Sequence, residues 1–256
     1  ARSEALGRQV ELLEEASQVA RDMADDSDKA IAYLKQLRPL KPEDDKLAPA
    51  LERLLEKHER WADLIELWRT LLDDQTQEEQ ATTLGRISAC YLDNLSDPMQ
   101  ALEAAKEFLS EAESDADPCA LIERIFGFEG ATPEVRHGAL DLLRYQYEST
   151  DRPTEFVRVL ENAIQVDPEG EKDYRSEAAS ILADLEQLEA AMNHYAALLA
   201  LDSGSAATLG HLRQLAQRSG NYELFAQGVR RAADSASDPS RRVALLSAAA
   251  KTRLNE

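Results

Sequence analysis

Two cysteines and four histidines are the side chains of this sequence best suited to nucleophilic or metal chemistry, and their spacing supports neither. Cys90 and Cys119 stand far apart in the chain with no Cys-x-x-Cys pair, so no zinc motif is present. They read as two reduced, half-buried thiols of a reducing compartment. A disulfide stays open, because sequence gives no distance. His58, His137, His194 and His211 never fall three to five residues apart, so no helix face presents a metal pair. Each is expected on a helix, at the surface or partly buried. Glycine-rich phosphate loops, the Gly-x-Ser-x-Gly elbow and the acidic calcium loop are absent. Asn94-Leu95-Ser96 matches the glycosylation triplet, a pattern frequent by chance. Carboxylates are abundant on polar helix faces, and nothing singles out an acid–base pair. The expectation is a non-enzyme with no catalytic group, no cofactor and no metal.

The elements that carry these residues follow from composition. The chain has 256 residues, 43% of them apolar, which is enough for a core. Only 10 Gly and 9 Pro oppose a loop-rich or all-β design. Lys+Arg 29 against Asp+Glu 49 gives a net charge of −20. Phosphate contacts need Lys and Arg, so nucleic acid is not an expected partner. No apolar run is long enough to span a bilayer, so no membrane insertion is expected. The sequence has no initiator Met and no signal-peptide pattern, and it opens inside an expected helix. That reads as a fragment of a longer chain, with the cytoplasm favoured.

Periodicity is the strongest signal. Short helices are expected to start at Asp26, Arg60, Asp97, Arg152, Gln187 and Asn221. Successive starts lie about 34 residues apart, a period that marks repeat architectures; the step from Asp97 to Arg152 alone is much longer. Four residues after these starts stand Ala30, Leu64, Ala101, Phe156, Ala191 and Phe225. The columns at five, eight and eleven are apolar as well, 24 positions in all, where composition gives about 10. The 4, 5, 8, 11 spacing is the stripe of an α-helix. Other helices lie between, with stripes such as Leu51-Leu54-Leu55 and Leu140-Leu143-Tyr147. Asp97-Pro98, Asp117-Pro118, Thr132-Pro133 and Asp238-Pro239 read as an N-cap followed by a first-turn proline. No segment alternates like a strand. The reading is all-α: about 14 helices in seven antiparallel pairs, each too short to stand alone. An α-solenoid over residues 1–256 follows, in which each pair covers the flank of the last. Trp68, Phe156 and Phe225 are expected in the core. In the last helix, Leu245, Leu246, Ala248 and Ala249 form an apolar set, either a cap or half of a further unit.

A two-helix unit of about 34 residues resembles the tetratricopeptide repeat. Asp97-Pro98-Met99-Gln100-Ala101-Leu102 resembles the start of that family's second helix. Gln165-Val166-Asp167-Pro168 resembles its closing Asp-Pro, and Leu84-Gly85 its first-helix Leu-Gly. The match spans five to six degenerate units and is similar to long bacterial arrays, with HEAT-type pairs as the structural runner-up. The resemblance implies a right-handed superhelix. Its main departure is the long step from Asp97 to Arg152, where 113–131 adds a helix and the loop Gly127–Gly130. That is read as a shortened unit, with a boundary between two arrays as the alternative.

The resemblance also implies that first helices line a concave groove for peptides or partner proteins. On that register the inner face holds Lys46 and Arg53, then Thr82 and Gly85, Asp141 and Tyr145, Asp173 and Ser180, and Gln214 and Arg218. The partner-binding set expected is Lys46, Arg53, Asp141, Tyr145, Ser180, Gln214 and Arg218. It lacks the Asn of the family's carboxylate clamp. Residues 1–202 sum to −24 and 203–256 to +4, with −11 in 71–130 alone. An acidic body would steer a basic protein partner, and its unlike ends would favour self-association. The expected function is a protein–protein interaction scaffold. A structural spacer or self-assembling segment is the alternative, and an enzyme or enzyme-regulatory domain the third class.

Overall fold

The computed structural model describes residues 2–22, 26–111 and 117–254. Among the described residues there are 14 α-helices and no strand. In chain order they are α1 (Arg2–Asp22), α2 (Ser27–Leu37), α3 (Leu47–Lys57), α4 (Trp61–Leu71), α5 (Gln77–Asp93), α6 (Pro98–Glu111), α7 (Cys119–Phe126), α8 (Pro133–Ser149), α9 (Pro153–Val166), α10 (Glu171–Asp184), α11 (Leu188–Leu201), α12 (Ala206–Ser219), α13 (Tyr222–Ser235) and α14 (Pro239–Leu254). The protein is an all-α solenoid of about seven helix pairs. It divides into two compact units, residues 1–138 and 139–256, with the division inside α8. Of the 113–131 step, residues 113–116 lie outside the described residues; the remainder holds α7 and the loop after it.

Within the first unit, contacts run from each helix to the next, from α1 on α2 through to α6 on α7. Within the second, α9 packs on α10, α10 on α11, α11 on both α12 and α13, and α13 on α14. The four apolar columns explain this order. Of their 24 positions, 22 are buried, and only Leu71 and Tyr195 are half-exposed. Trp68, Phe156 and Phe225 are 5%, 2% and 0% exposed. Leu245 and Ala249 of α14 are buried, whereas Leu246 on the same helix is 44% exposed.

The joint between a first and a second helix repeats in detail. Asp26, Arg60, Arg152, Gln187 and Asn221 are the N-cap residues of α2, α4, α9, α11 and α13. The residue before the start is left-handed at Glu59, Ser96, Asp151, Glu186 and Gly220, with φ of 52° to 73°. The next amide donates back into the ending helix: Arg60 to Leu55 O at 2.9 Å, Arg152 to Tyr147 O at 2.8 Å, and Gln187 to Leu182 O at 2.9 Å. This six-to-one bond closes one helix with a left-handed residue at C′, and the same chain segment opens the next helix.

Three expectations are corrected. Asp117-Pro118 does not start α7 at the proline: Pro118 is the N-cap, and Asp117 Oδ1 accepts from Cys119 N at 3.0 Å. The two cysteines are fully buried, because each sits on a core-facing stripe. His194 is buried rather than at the surface, in a helix whose Ala191, Met192, Ala196 and Leu199 leave little polar face.

Two measurements check this packing. Phe156→Ala should cost about 3–5 kcal/mol in urea denaturation, the usual loss for a fully buried phenylalanine; a loss under about 1 kcal/mol would place the ring at the surface. Glu59→Gly should raise stability by about 1 kcal/mol, since a left-handed L-residue costs on that order and glycine does not. No gain would mean that the joint carries no strain.

Candidate functional site

The exposed faces of the first helices are tied together by side chains one repeat apart. In the first unit Arg86 of α5 reaches back to Glu52 and Glu56 of α3. Its guanidinium lies 4.3 Å from the centroid of the Trp68 ring, and the Trp68 indole N–H donates to Glu52 Oε1 at 3.1 Å. In the second unit Arg144 of α8 makes a two-point contact with Glu177 of α10, at 2.6 and 3.0 Å. The same guanidinium donates to Asp141 Oδ1 at 2.6 Å. Arg218 of α12 reaches Glu186, the left-handed residue after α10, at 2.7 Å. Second helices and joints repeat the device: Arg60 to Asp28 at 2.6 Å, Arg124 to Asp93, and Asn221 to Glu189 at 2.7 Å.

The physical cause is the period itself. Partners on neighbouring units are separated by 30 to 34 residues, about one repeat, so equivalent helix positions stack and a charge meets its complement on the next unit. Exposed pairs contribute roughly 0.2–1 kcal/mol each, more where a guanidinium grips both carboxylate oxygens. Glu177, helped by Asp141, raises the pKa of Arg144 above its ordinary value, against a desolvation that opposes it.

The sequence-derived residues fall into two groups. Lys46, Arg53, Tyr145, Ser180 and Gln214 are exposed, and their side chains make no ion pair or hydrogen bond among the described residues. Tyr145 is 67% exposed, the largest value among the big apolar side chains of the described residues. Asp141 and Arg218 are exposed but committed to Arg144 and Glu186. Asp141 and Tyr145 share a face of α8 at four-residue spacing, and Arg144 links Asp141 to Glu177, one turn before Ser180 on α10. Lys46 is the N-cap of α3 and Arg53 stands two turns on along the same helix. Thr82 and Asp173 are exposed, and a Cβ on Gly85 would stand 3.7 Å from the Phe108 ring. Sequence reasoning missed Glu52, Arg86, Arg144 and Glu177. Opposite charges at one-repeat spacing were the signal that could have found them.

Part of the acidic stretch is structural. Thr76 and Glu79 form a reciprocal capping box at the start of α5, and Asp117 caps α7. The Glu111 side chain and residues Glu113 and Asp115 lie outside the described residues. No group of three or more metal-ligating side chains forms among the described residues. Burial pushes the Cys90 thiol up to about 11, so it is not a thiolate nucleophile at neutral pH.

His194 supplies a pH test. Burial depresses its pKa and Arg175 adds to the effect, while Glu161, 3.5 Å from Nε2, opposes them. Its Nδ1 is buried without a hydrogen-bond partner. The folded chain therefore binds fewer protons here than the unfolded chain. The contribution is full above the ordinary value of about 6.5 and is lost as pH falls below it. Urea midpoints should drop between pH 7.5 and 5.5, and His194→Leu should drop less. An equal drop in the variant would assign the effect to other groups.

No family model matches the chain, and no curated protein matches it. Solved structures to which it is similar are tetratricopeptide-repeat proteins. The TPR2AB domain of yeast Sti1, in complex with an HSP90 peptide, is 14% identical at a TM-score of 0.37, over 95% of this chain and 99% of that one. A tetratricopeptide repeat protein of Parabacteroides merdae is 16% identical at 0.30, over 94% and 99%. YrrB, described as having an unusual peptide-binding site, is 15% identical at 0.28, over 82% and 95%. The fold rests on the chain's own period, joints and pairing: it is an array of tetratricopeptide-like helix pairs.

Proposed function

We propose that this chain is a non-enzymatic protein–protein interaction scaffold, whose first-helix faces form the groove that receives a partner protein or peptide. The observation that carries the reading is the pairing of a braced frame with free side chains. Around Tyr145, Asp141, Arg144 and Glu177 hold one another across two helices, while the tyrosine itself stands in solvent. Tyrosine in such a setting is a frequent anchor of binding energy, because it buries a large surface at small entropic cost.

The partner surface is basic, in keeping with a net charge of −20. Exposed charges mainly speed encounter and are screened beyond about 8 Å at physiological salt.

A photo-crosslinking amino acid at Tyr145 should capture a protein partner in cells, while the same group at exposed Asn162 on the second helix α9 should capture none. With the captured partner in hand, Tyr145→Ala should weaken binding about ten-fold or more and leave the melting temperature unchanged. The partner's association rate with the unaltered chain should fall as salt rises. Equal capture at both positions, or binding indifferent to Tyr145, would remove the first-helix face from the function.

A further inference from the structure

Half of the large exposed apolar side chains among the described residues stand on two helices. Leu6, Leu12 and Val19 are on α1, and Val243 and Leu246 are on α14. Each helix already buries one stripe, Leu13 and Ala20 on α1 and Leu245 and Ala249 on α14, and packs on its neighbour, α2 or α13. A second stripe is left in solvent. On α1, Ala5, Leu12, Ala16 and Val19 share a face at helical spacing, with Leu12 58% and Val19 50% exposed. An apolar cleft of about 590 Å³ runs along this stripe, lined by Ala5, Leu12, Leu13 and Ala16 and by Tyr33 of α2. On α14, Val243, Leu246 and Ala250 share a face in the same way, with Val243 63% and Leu246 44% exposed. Exposed apolar stripes of this kind mark contact surfaces.

Charge distinguishes the two stripes. α1 holds five carboxylates against three arginines. Glu11 and Glu15 stand one turn apart beside its apolar stripe, exposed and without an ion pair among the described residues, while Arg8 lines the cleft. α14 holds Arg241, Arg242, Lys251 and Arg253 and no carboxylate. Arg242 is spent on the carbonyls of Ala233 and Ala236, but Arg241 is exposed and has no ion pair among the described residues. Packing α14 on a second α14 sets cation against cation, and packing α1 on a second α1 sets its excess carboxylates together. Packing α14 on α1 brings unlike charges around two apolar stripes.

We propose that copies of this chain join head to tail, with Val243, Leu246 and Ala250 of one copy's α14 laid into the α1–α2 cleft of the next. This is the helix-in-groove mode of recognition. The contact is heterologous, so it propagates unless a ring closes. It does not involve Tyr145 or the face around it, and so goes beyond the reading above.

The test is sedimentation velocity on the full chain and two paired variants. Leu12→Gln with Val19→Gln blocks the α1 face, and Val243→Gln with Leu246→Gln blocks the α14 face; both leave net charge unchanged and glutamine is a good helix former. The unaltered chain should grow in mass as concentration rises. Each variant alone should stay monomeric, because its one open face finds no complement. Mixed, the two should form a one-to-one dimer and nothing larger. Rising salt should weaken that dimer, as should Glu11→Gln with Glu15→Gln added to the α14-blocked variant, by about three-fold or more. Melting curves should match the unaltered chain, since the four replaced apolar side chains are exposed. A monomeric unaltered chain would overturn the proposal, as would a variant that dimerises alone, since like faces would then be pairing. So would a mixture that stays monomeric, or a mixed dimer indifferent both to salt and to Glu11 and Glu15. Capture at Tyr145 reads a different surface, so the two readings fail separately.

Discussion

Helices of 11 or 14 residues, such as α2, α3 and α4 or α9, α10 and α11, are marginal in water on their own. Each must bury its apolar stripe against neighbours, and a two-helix unit always leaves one flank bare. Only a further unit of the same kind covers it, so the pair repeats. This constraint sets everything else. It demands apolar residues, small or large, at the buried positions: Ala30, Ala101 and Ala191 share a column with Leu64, Phe156 and Phe225, and all six are buried. It demands glycine where they approach most closely, for a Cβ on Gly228 of α13 would stand 2.6 Å from the Ala196 Cβ of α11. It also fixes the length of the unit, and with it the position of every polar side chain on the unit's surface.

The joints transmit the constraint. A first helix that ends on a left-handed residue, with the next amide bonded back into it, reverses direction with almost no loop. Four of the five joints accept a Glu, Ser or Asp where glycine would be easier. At Glu186 the residue has a second use, since its carboxylate holds Arg218 of α12. A strained backbone position therefore also carries a tie to the next unit, which glycine could not provide.

These two levels differ in how far the sequence reveals them. The columns were legible because burial filters residue type: only apolar side chains survive at the buried positions, and six starts fixed their register. The starts themselves proved to be helix caps, with Asp26 and Asn221 bonding the amides of Lys29 and Leu224. The joints were not legible, because a left-handed residue that is not glycine leaves no mark in composition. His194 was misjudged for a related reason. A histidine at an inward position of α11 looks like any polar helix residue until its neighbours are known. The candidate binding residues are exposed. Which of them were already engaged was hidden. Arg218 is held by Glu186, 32 residues away, and Asp141 by Arg144, whose other partner lies 33 residues further on. A search for apolar periodicity passes over such charged pairs.

That division of the charged residues bears on how such a surface would bind. Glu52, Arg86, Arg144 and Glu177 are held by each other, so their conformational freedom is already reduced before a partner arrives. Ordering a free side chain at an interface costs roughly 0.5–1.5 kcal/mol, and these four avoid most of it. They have also spent their charge internally, so they offer a partner shape and a fixed dipole rather than a new ion pair. Lys46, Arg53, Tyr145 and Gln214 are in the opposite position: exposed, and without internal partners among the described residues. On the proposed function, new bonds would form at the second set, at positions aligned by the first. A repeat protein can then change its partner by altering the free residues while the braced ones, which carry the alignment, stay as they are.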